Sequence, residues 1–269
     1  MKKKGTEYQE RMAVHLFPAF MYAVKDGDEA SIRSLVAAGA DVNLGERSRF
    51  PLREACVRNR PHIVRLLLEL GADVNSTSLE GTTALHWVCH AGNLHVARIL
   101  IDHGADVEAR NPQMSTPLHH LCTNTGVQEQ VKEDRRGLAT LLIEKGADVN
   151  ARDRNSVTPL HLASGNFTAK DAGDLVRFLL EHGADVNARD KDGRFPLHWA
   201  MTNYLPLTCK ILLDAGADPN VRAGGGGITP LEQAIALPDS NPVREQLLDL
   251  FRQYAPEQVM EVWCRRPQP

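Results

Sequence analysis

The sequence predicts an all-α chain, a solenoid of about seven helix-turn-helix units joined by hairpin-like loops and capped at both ends. Two recurring phrases and one helical stripe predict it. The phrase Gly-Ala-Asp-Val-Asn begins at Gly39, Gly71, Gly146 and Gly183, with variants at Gly104 (ending in Glu108) and Gly216 (carrying Pro219). Successive starts are 32, 33, 42, 37 and 33 residues apart. A second phrase keeps phase with it: FPLREA from Phe50, TALHWV from Thr83, TPLHHL from Thr116, TPLHLA from Thr158, FPLHWA from Phe195 and TPLEQA from Thr229. A fixed period of this size marks a repeat architecture.

Each element of the unit has a physical reason. Thr, or Phe at two places, precedes a Pro suited to the first helical position, where its missing N–H costs nothing. Leu and Ala then recur toward a core. In the second helix Ile63, Leu66, Leu67 and Leu70 form the i, i+3, i+4, i+7 stripe of an amphipathic helix. Gly71 supplies the stop and Asp73 and Asn75 open the next turn. One unit has too little apolar surface to fold alone, so stacking supplies the core.

The period and the Thr-Pro-Leu-His-x-Ala phrase resemble the ankyrin repeat family. The resemblance covers roughly residues 17–255, as units at about 17–47, 48–80, 81–113, 114–155, 156–192, 193–226 and 227–255. An N-terminal extension (1–16) and a C-terminal tail (256–269) flank them. The first unit lacks the Thr-Pro opening and the last lacks the Gly-Ala-Asp ending, so both read as caps.

Bulk composition suits a folded chain: 42% hydrophobic, 24% charged, formal net charge −3. That charge implies neither a nucleic-acid nor a membrane partner. Lys2, Lys3 and Lys4 before the apolar run Met12–Val24 mimic a secretory leader, but Ala23–Asn43 reads as the body of a repeat. The expectation is a monomer of the cytoplasm or nucleus.

Chemistry is weighed residue by residue. His86, His119, His161 and His198 recur in one slot of the repeat. Stacked helices lie on the order of 10 Å apart, too far for these rings to share a metal. The resemblance instead implies that each bonds backbone of the neighbouring hairpin. Cys56, Cys89 and Cys122 also recur in phase, in a slot filled later by Ser164 and Met201, and read as core with Cys209; Cys264 in the tail reads as the exposed thiol. Gly224–Gly227 lacks the Lys-Ser/Thr of a phosphate loop and reads as a hairpin tip. No catalytic group, metal site or cofactor is expected.

The resemblance implies a protein-binding scaffold whose partner lies along the concave face and hairpin tips. Carried over position by position, the variable slots are Arg47, Arg49, Val57 and Arg58; Leu79, Glu80, Thr82, His90 and Ala91; Pro112, Gln113, Ser115, Thr123 and Asn124. The later units add Arg154, Asn155 and Val157, then Lys191, Asp192, Arg194, Thr202 and Asn203. Trp87 and Trp199 stand beside them, placed to pack between units and present an edge.

Arg110, Arg152, Arg189 and Arg222 recur two residues after the first phrase. With Arg47, Arg49, Arg154, Lys191 and Arg194 they form a basic edge that would steer an acidic peptide or surface. Asp153, Asp190 and Asp192 offset it in part.

The fourth and fifth units are longer between their helices, within Thr123–Arg136 and near Asn166–Gly173. Such insertions serve binding or are simply tolerated in surface loops. Two further readings compete. The tail Pro256–Arg266, with Val259, Met260, Val262 and Cys264, is faintly similar to the box by which some ankyrin proteins recruit a ubiquitin ligase. Asn43, Asn75, Asn150 and Asn187, each eight residues after a Leu, match the pattern read by asparaginyl hydroxylases.

Overall fold

The computed structural model describes residues 2–45, 50–123, 131–166 and 172–257, with side chains described from residue 12 onward, except at 131–134 and 172. Fourteen α-helices occur among them, and the β-structure of the described residues is one isolated bridge between Thr77 and Thr83. In chain order they are α1 (Lys2–Asp26), α2 (Glu29–Ala37), α3 (Pro51–Val57), α4 (Pro61–Glu69), α5 (Ala84–Ala91), α6 (Leu94–Asp102) and α7 (Pro117–Cys122). There follow α8 (Val131–Glu144), α9 (Pro159–Ser164), α10 (Ala172–Glu181), α11 (Pro196–Thr202), α12 (Pro206–Asp214), α13 (Pro230–Ala236) and α14 (Arg244–Tyr254).

The chain divides into two units, residues 1–121 with 133–147, and residues 122–132 with 148–269. In the first, α3 packs on α1 and α5, and α4 on α6. In the second, α11 packs on α9 and α13, and α12 on α10 and α14. First helices therefore stack on first helices, and second on second. Leu85, Leu100, Leu160 and Leu212 are among the fully buried side chains of these stacks; each such Leu contributes about 1.5–3 kcal/mol on burial. Cys56, Cys89, Cys122, Ser164 and Met201 all lie in the core, as does Cys209.

The helix-opening phrase works as a modified capping box. Thr83 is the N-cap of α5 and His86 its third residue, whose Nδ1 accepts the Thr83 backbone N–H at 3.2 Å. Glu or Gln plays this part in the usual box. The same bond joins Thr116 to His119, Thr158 to His161 and Phe195 to His198, each at 3.2 Å. In the last unit Glu232 replaces the His, and its Oε2 accepts from Thr229 N at 2.9 Å.

At the other end of the unit, Gly71 adopts φ +93°, which a Cβ would oppose, and the Ala72 N–H turns back to the Leu67 carbonyl at 2.9 Å. Each Asn of the repeated phrase then reaches into the next unit. Asn75 Nδ2 donates to the Gly104 carbonyl at 3.1 Å while its Oδ1 accepts from Asp106 N at 2.9 Å. Asn43 and Asn150 repeat both bonds, and Asn187 donates to the Gly216 carbonyl.

One segment differs from expectation. The excess of the fourth unit is not loop throughout: residues 131–136 begin α8, and Arg135 is buried, donating from Nη2 to the Leu121 carbonyl at 2.9 Å. That places a cation against the C-terminal carbonyls of α7, where the helix dipole favours it. Helix α1 begins at Lys2, so the helix reaches far ahead of the first repeat's expected start at residue 17.

Candidate partner-binding surface

The loops that open the third to sixth units share one construction. In each tip the first residue accepts the backbone N–H groups two and four positions on. Ser78 Oγ accepts from Glu80 and Thr82, and Asn111 Oδ1 from Gln113 and Ser115. Asp153 Oδ1 accepts from Asn155 and Val157, and Asp190 Oδ1 from Asp192 and Arg194. Short polar side chains favour such local turns. The fourth residue of every tip is left-handed: Gly81, Met114, Ser156 and Gly193 have φ +67°, +63°, +57° and +69°. The second and third residues, Leu79-Glu80, Pro112-Gln113, Arg154-Asn155 and Lys191-Asp192, are exposed in all four tips.

His residues join tip to helix. His86 Nε2 donates to the Ser115 carbonyl at 3.1 Å, His161 Nε2 to that of Arg194 at 3.2 Å and His198 Nε2 to that of Ile228 at 3.3 Å. With Nδ1 accepting and Nε2 donating, each ring is the neutral tautomer protonated on Nε2. Burial holds His86, His161 and His198 below the ordinary imidazole value. His120 lies edge-on to His86, and burial together with His86, His90 and His119 pushes it down to about 4. No cluster of His, Cys, Asp or Glu among the described residues has the geometry of a metal site.

The two tryptophans are tied into the tips. Trp87 is half-buried, its indole N–H donates to Thr82 Oγ1 at 3.0 Å, and the Arg53 guanidinium lies over its ring at 4.3 Å. Trp199 donates to Asp190 Oδ2 at 3.0 Å, and Arg194 shares that oxygen through Nε at 3.0 Å. The Asp190 side chain is only 1% exposed. Burial raises its pKa, but the Arg194 backbone N–H, the indole and the guanidinium outweigh burial and hold the carboxyl below its usual value. The sequence placed Asp190 merely in a turn. Its role as an acceptor for four groups was missed, although the polar residue opening each tip was a usable signal.

The other predicted residues fall into three groups. Exposed are Arg58, Leu79, Glu80, His90, Gln113, Thr123, Arg154, Asn155, Lys191, Asp192 and Thr202. Half-buried are Ser115, whose carbonyl serves His86; Arg194; and Asn203, which donates to the Gly165 carbonyl at 2.8 Å. Thr82 and Val157, expected on the variable surface, are buried instead, Thr82 because it receives the Trp87 indole. Arg47, Arg49, Asn124 and the tail residues Val259, Met260, Val262 and Cys264 lie outside the described residues. Leu79 at 79% and Met114 at 40% are among the most exposed large apolar side chains. Each gives its tip an exposed apolar side chain, beside Glu80 in one and Gln113 in the other.

Known proteins share this construction. Two family models match, ankyrin repeats (3 copies) over residues 130–223 and ankyrin repeats (many copies) over 52–101. The interferon antagonist OPG040 of vaccinia virus (strain Western Reserve) is 36% identical over 81 residues, which are 30% of this chain and 28% of that protein. Ankyrin repeat and SOCS box protein 16 of Mus musculus is 42% identical over 64 residues, 24% of this chain and 14% of that protein. The matches thus span less than a third of either relative. Among solved structures, the ankyrin repeat domain of human ASB11 has a TM-score of 0.70 at 26% identity, over 86% of this chain and 96% of that one. That of Bcl-3, a member of the IkappaB family, has a TM-score of 0.67 at 28% identity, over 87% and 97%. Repeats of this family serve as protein-interaction modules. With the two phrases, the capping His and the matching repeat models all in register, the chain belongs to the ankyrin repeat family.

Proposed function

We propose that this protein is a non-catalytic scaffold that binds a partner protein through its hairpin tips and adjoining first helices. One observation carries the reading. Four tips share a backbone held by the same internal hydrogen bonds, yet their exposed second and third residues differ at every tip. A uniform, preorganised frame with variable outward side chains suits recognition, because little freedom is lost on binding. Trp87 and Trp199, half-buried behind the tips, are of the type enriched at binding hot spots.

Photocrosslinking in the cells that make the protein tests this. Benzoylphenylalanine at positions 79, 113, 155 and 191 is expected to trap a common protein, while positions 98 and 177 on the second helices do not. Adducts from the second helices alone would overturn it.

A second reading is an adaptor for a ubiquitin ligase. It is favoured by the similarity to an ankyrin repeat and SOCS box protein. Copurification of ligase subunits with the whole chain, lost on deleting residues 256–269, is the expected result; its absence removes this reading and leaves the first.

A further inference from the structure

The cations of the predicted basic edge are in two different states. Arg110 is bound to Glu108, Arg222 to Glu232, and Arg194 to both Asp190 and Asp192. A partner acid at any of these would have to displace an internal one. The fifth and sixth tips hold the exception. Arg154 is exposed and makes no hydrogen bond or ion pair among the described residues. Lys191 Nζ donates to the neutral amide oxygen of Asn155 at 2.7 Å, and its backbone N–H to the Asn155 carbonyl at 2.8 Å. The Arg189 guanidinium lies over the Phe195 ring at 4.8 Å, and Arg152 Nη1 donates to the Arg189 carbonyl at 3.3 Å. The Lys191 and Arg189 contacts are with neutral groups, and neither cancels a charge.

We propose that Arg154, Arg189 and Lys191 form a binding site for an extended acidic peptide, whose carboxylates meet the cations across the two neighbouring tips. The inference rests on the reading of the tips as the recognition surface and names the chemistry they take there. A single phosphoryl group fits less well. One phosphoryl group is bound best by several donors converging on a point; these cations are spread over two tips, where six backbone N–H groups are already engaged. Asn155 and Val157 N–H serve Asp153, Asp192 and Arg194 N–H serve Asp190, Lys191 N–H serves Asn155 and Gly224 N–H serves the Asp192 carbonyl. What the tips offer is distributed charge on side chains, the complement of carboxylates spaced along an extended chain. Of the acids nearby, Asp153 accepts the Asn155 and Val157 N–H groups, Asp190 is buried on Arg194 and Trp199, and Asp192 is also bound to Arg194.

Fluorescence anisotropy of the full chain with a labelled peptide alternating Glu and Ser tests the site. A Gln-Ser peptide and a peptide with one phosphoserine among neutral residues serve as comparisons. The acidic peptide is expected to bind in a salt-dependent way and the other two far more weakly. R154E/K191E is expected to weaken it by roughly tenfold or more, while R154K/K191R retains it. R110E and R177E, at cations already paired with Glu108 and Asp174, are expected to leave it within about threefold. Circular dichroism checks that each variant is folded. The proposal is overturned if the acidic peptide fails to bind, if R154E/K191E binds it as the wild type does, or if the phosphoserine peptide binds more tightly. Any of these would leave the crosslinking result, and so the scaffold reading, untouched.

Discussion

His161 and Arg194 are joined across one repeat: the imidazole Nε2–H donates to the Arg194 carbonyl at 3.2 Å while Nδ1 accepts from Thr158 N. One ring therefore caps its own helix and pins the tip of the next unit. His161→Ala removes both bonds, leaving the buried Thr158 N–H without its Nδ1 acceptor and the Arg194 carbonyl with only the Asp190 N–H. The expected loss is about 2–4 kcal/mol in urea unfolding. His161→Glu keeps the cap but turns a carboxylate toward that carbonyl, and is expected to be at least as harmful. In the last unit Glu232 is tolerated because its other oxygen meets Arg222.

The pH dependence of stability follows from the same rings. Burial lowers the pKa of His86, His161 and His198 below 6.5 in the folded state, and that of His120 to about 4. The unfolded chain takes up these protons first, so the stabilisation is whole above pH about 6.5 and falls as pH drops below it. Each His contributes a slope of about 1.4 kcal/mol per pH unit until its own folded pKa is reached. Urea midpoints at pH 7.5, 6 and 5 are expected to fall in that order. A flat profile across this range would contradict the assignment of neutral, Nε2-protonated rings.

Met114 occupies a left-handed position that Gly fills in two of the other tips. Met114→Gly relieves strain worth about 1–2 kcal/mol and incurs about 0.5–1 kcal/mol of chain entropy. A net gain of several tenths of a kcal/mol is expected in thermal unfolding. At Gly193 the converse holds, because a Cβ there would stand 2.5 Å from Gly224 N. Gly193→Ala is therefore expected to destabilise by more than the Met114 change stabilises.

Asp190→Ala deprives two backbone N–H groups, the Trp199 indole and Arg194 of their common acceptor. A loss of about 2–3 kcal/mol is expected, with a shifted Trp199 emission. Asp190→Asn keeps an oxygen for the backbone but leaves Arg194 without its buried charge, and should lose less. Equal effects of the two changes would show that the carboxylate charge matters little to the tip.

Much of this is legible in the sequence. The six helix-opening phrases and the Gly stops located the first and second helices, since Pro, Gly and short polar residues impose backbone geometry locally. The excess of the fourth unit was harder. A polar stretch such as Lys132–Arg136 looks like loop by composition, yet α8 includes it, because Arg135 finds a carbonyl of α7 to bond. The basic edge was visible as a row of Arg and Lys. Which of those charges were already cancelled was not, since Arg194 and Asp190 meet only when the tip closes.

The sequence by itself determined the repeat, its period and the membership of His86, His119, His161 and His198 in one structural slot. Local backbone preferences and in-phase apolar positions suffice for these. Only the tertiary structure decided which tip residues face outward, that Thr82 and Val157 are buried, and that Arg154 and Lys191 stand free of acids while Arg194 does not. Those facts depend on distances between side chains of separate elements, which packing sets and the order of residues along the chain does not display.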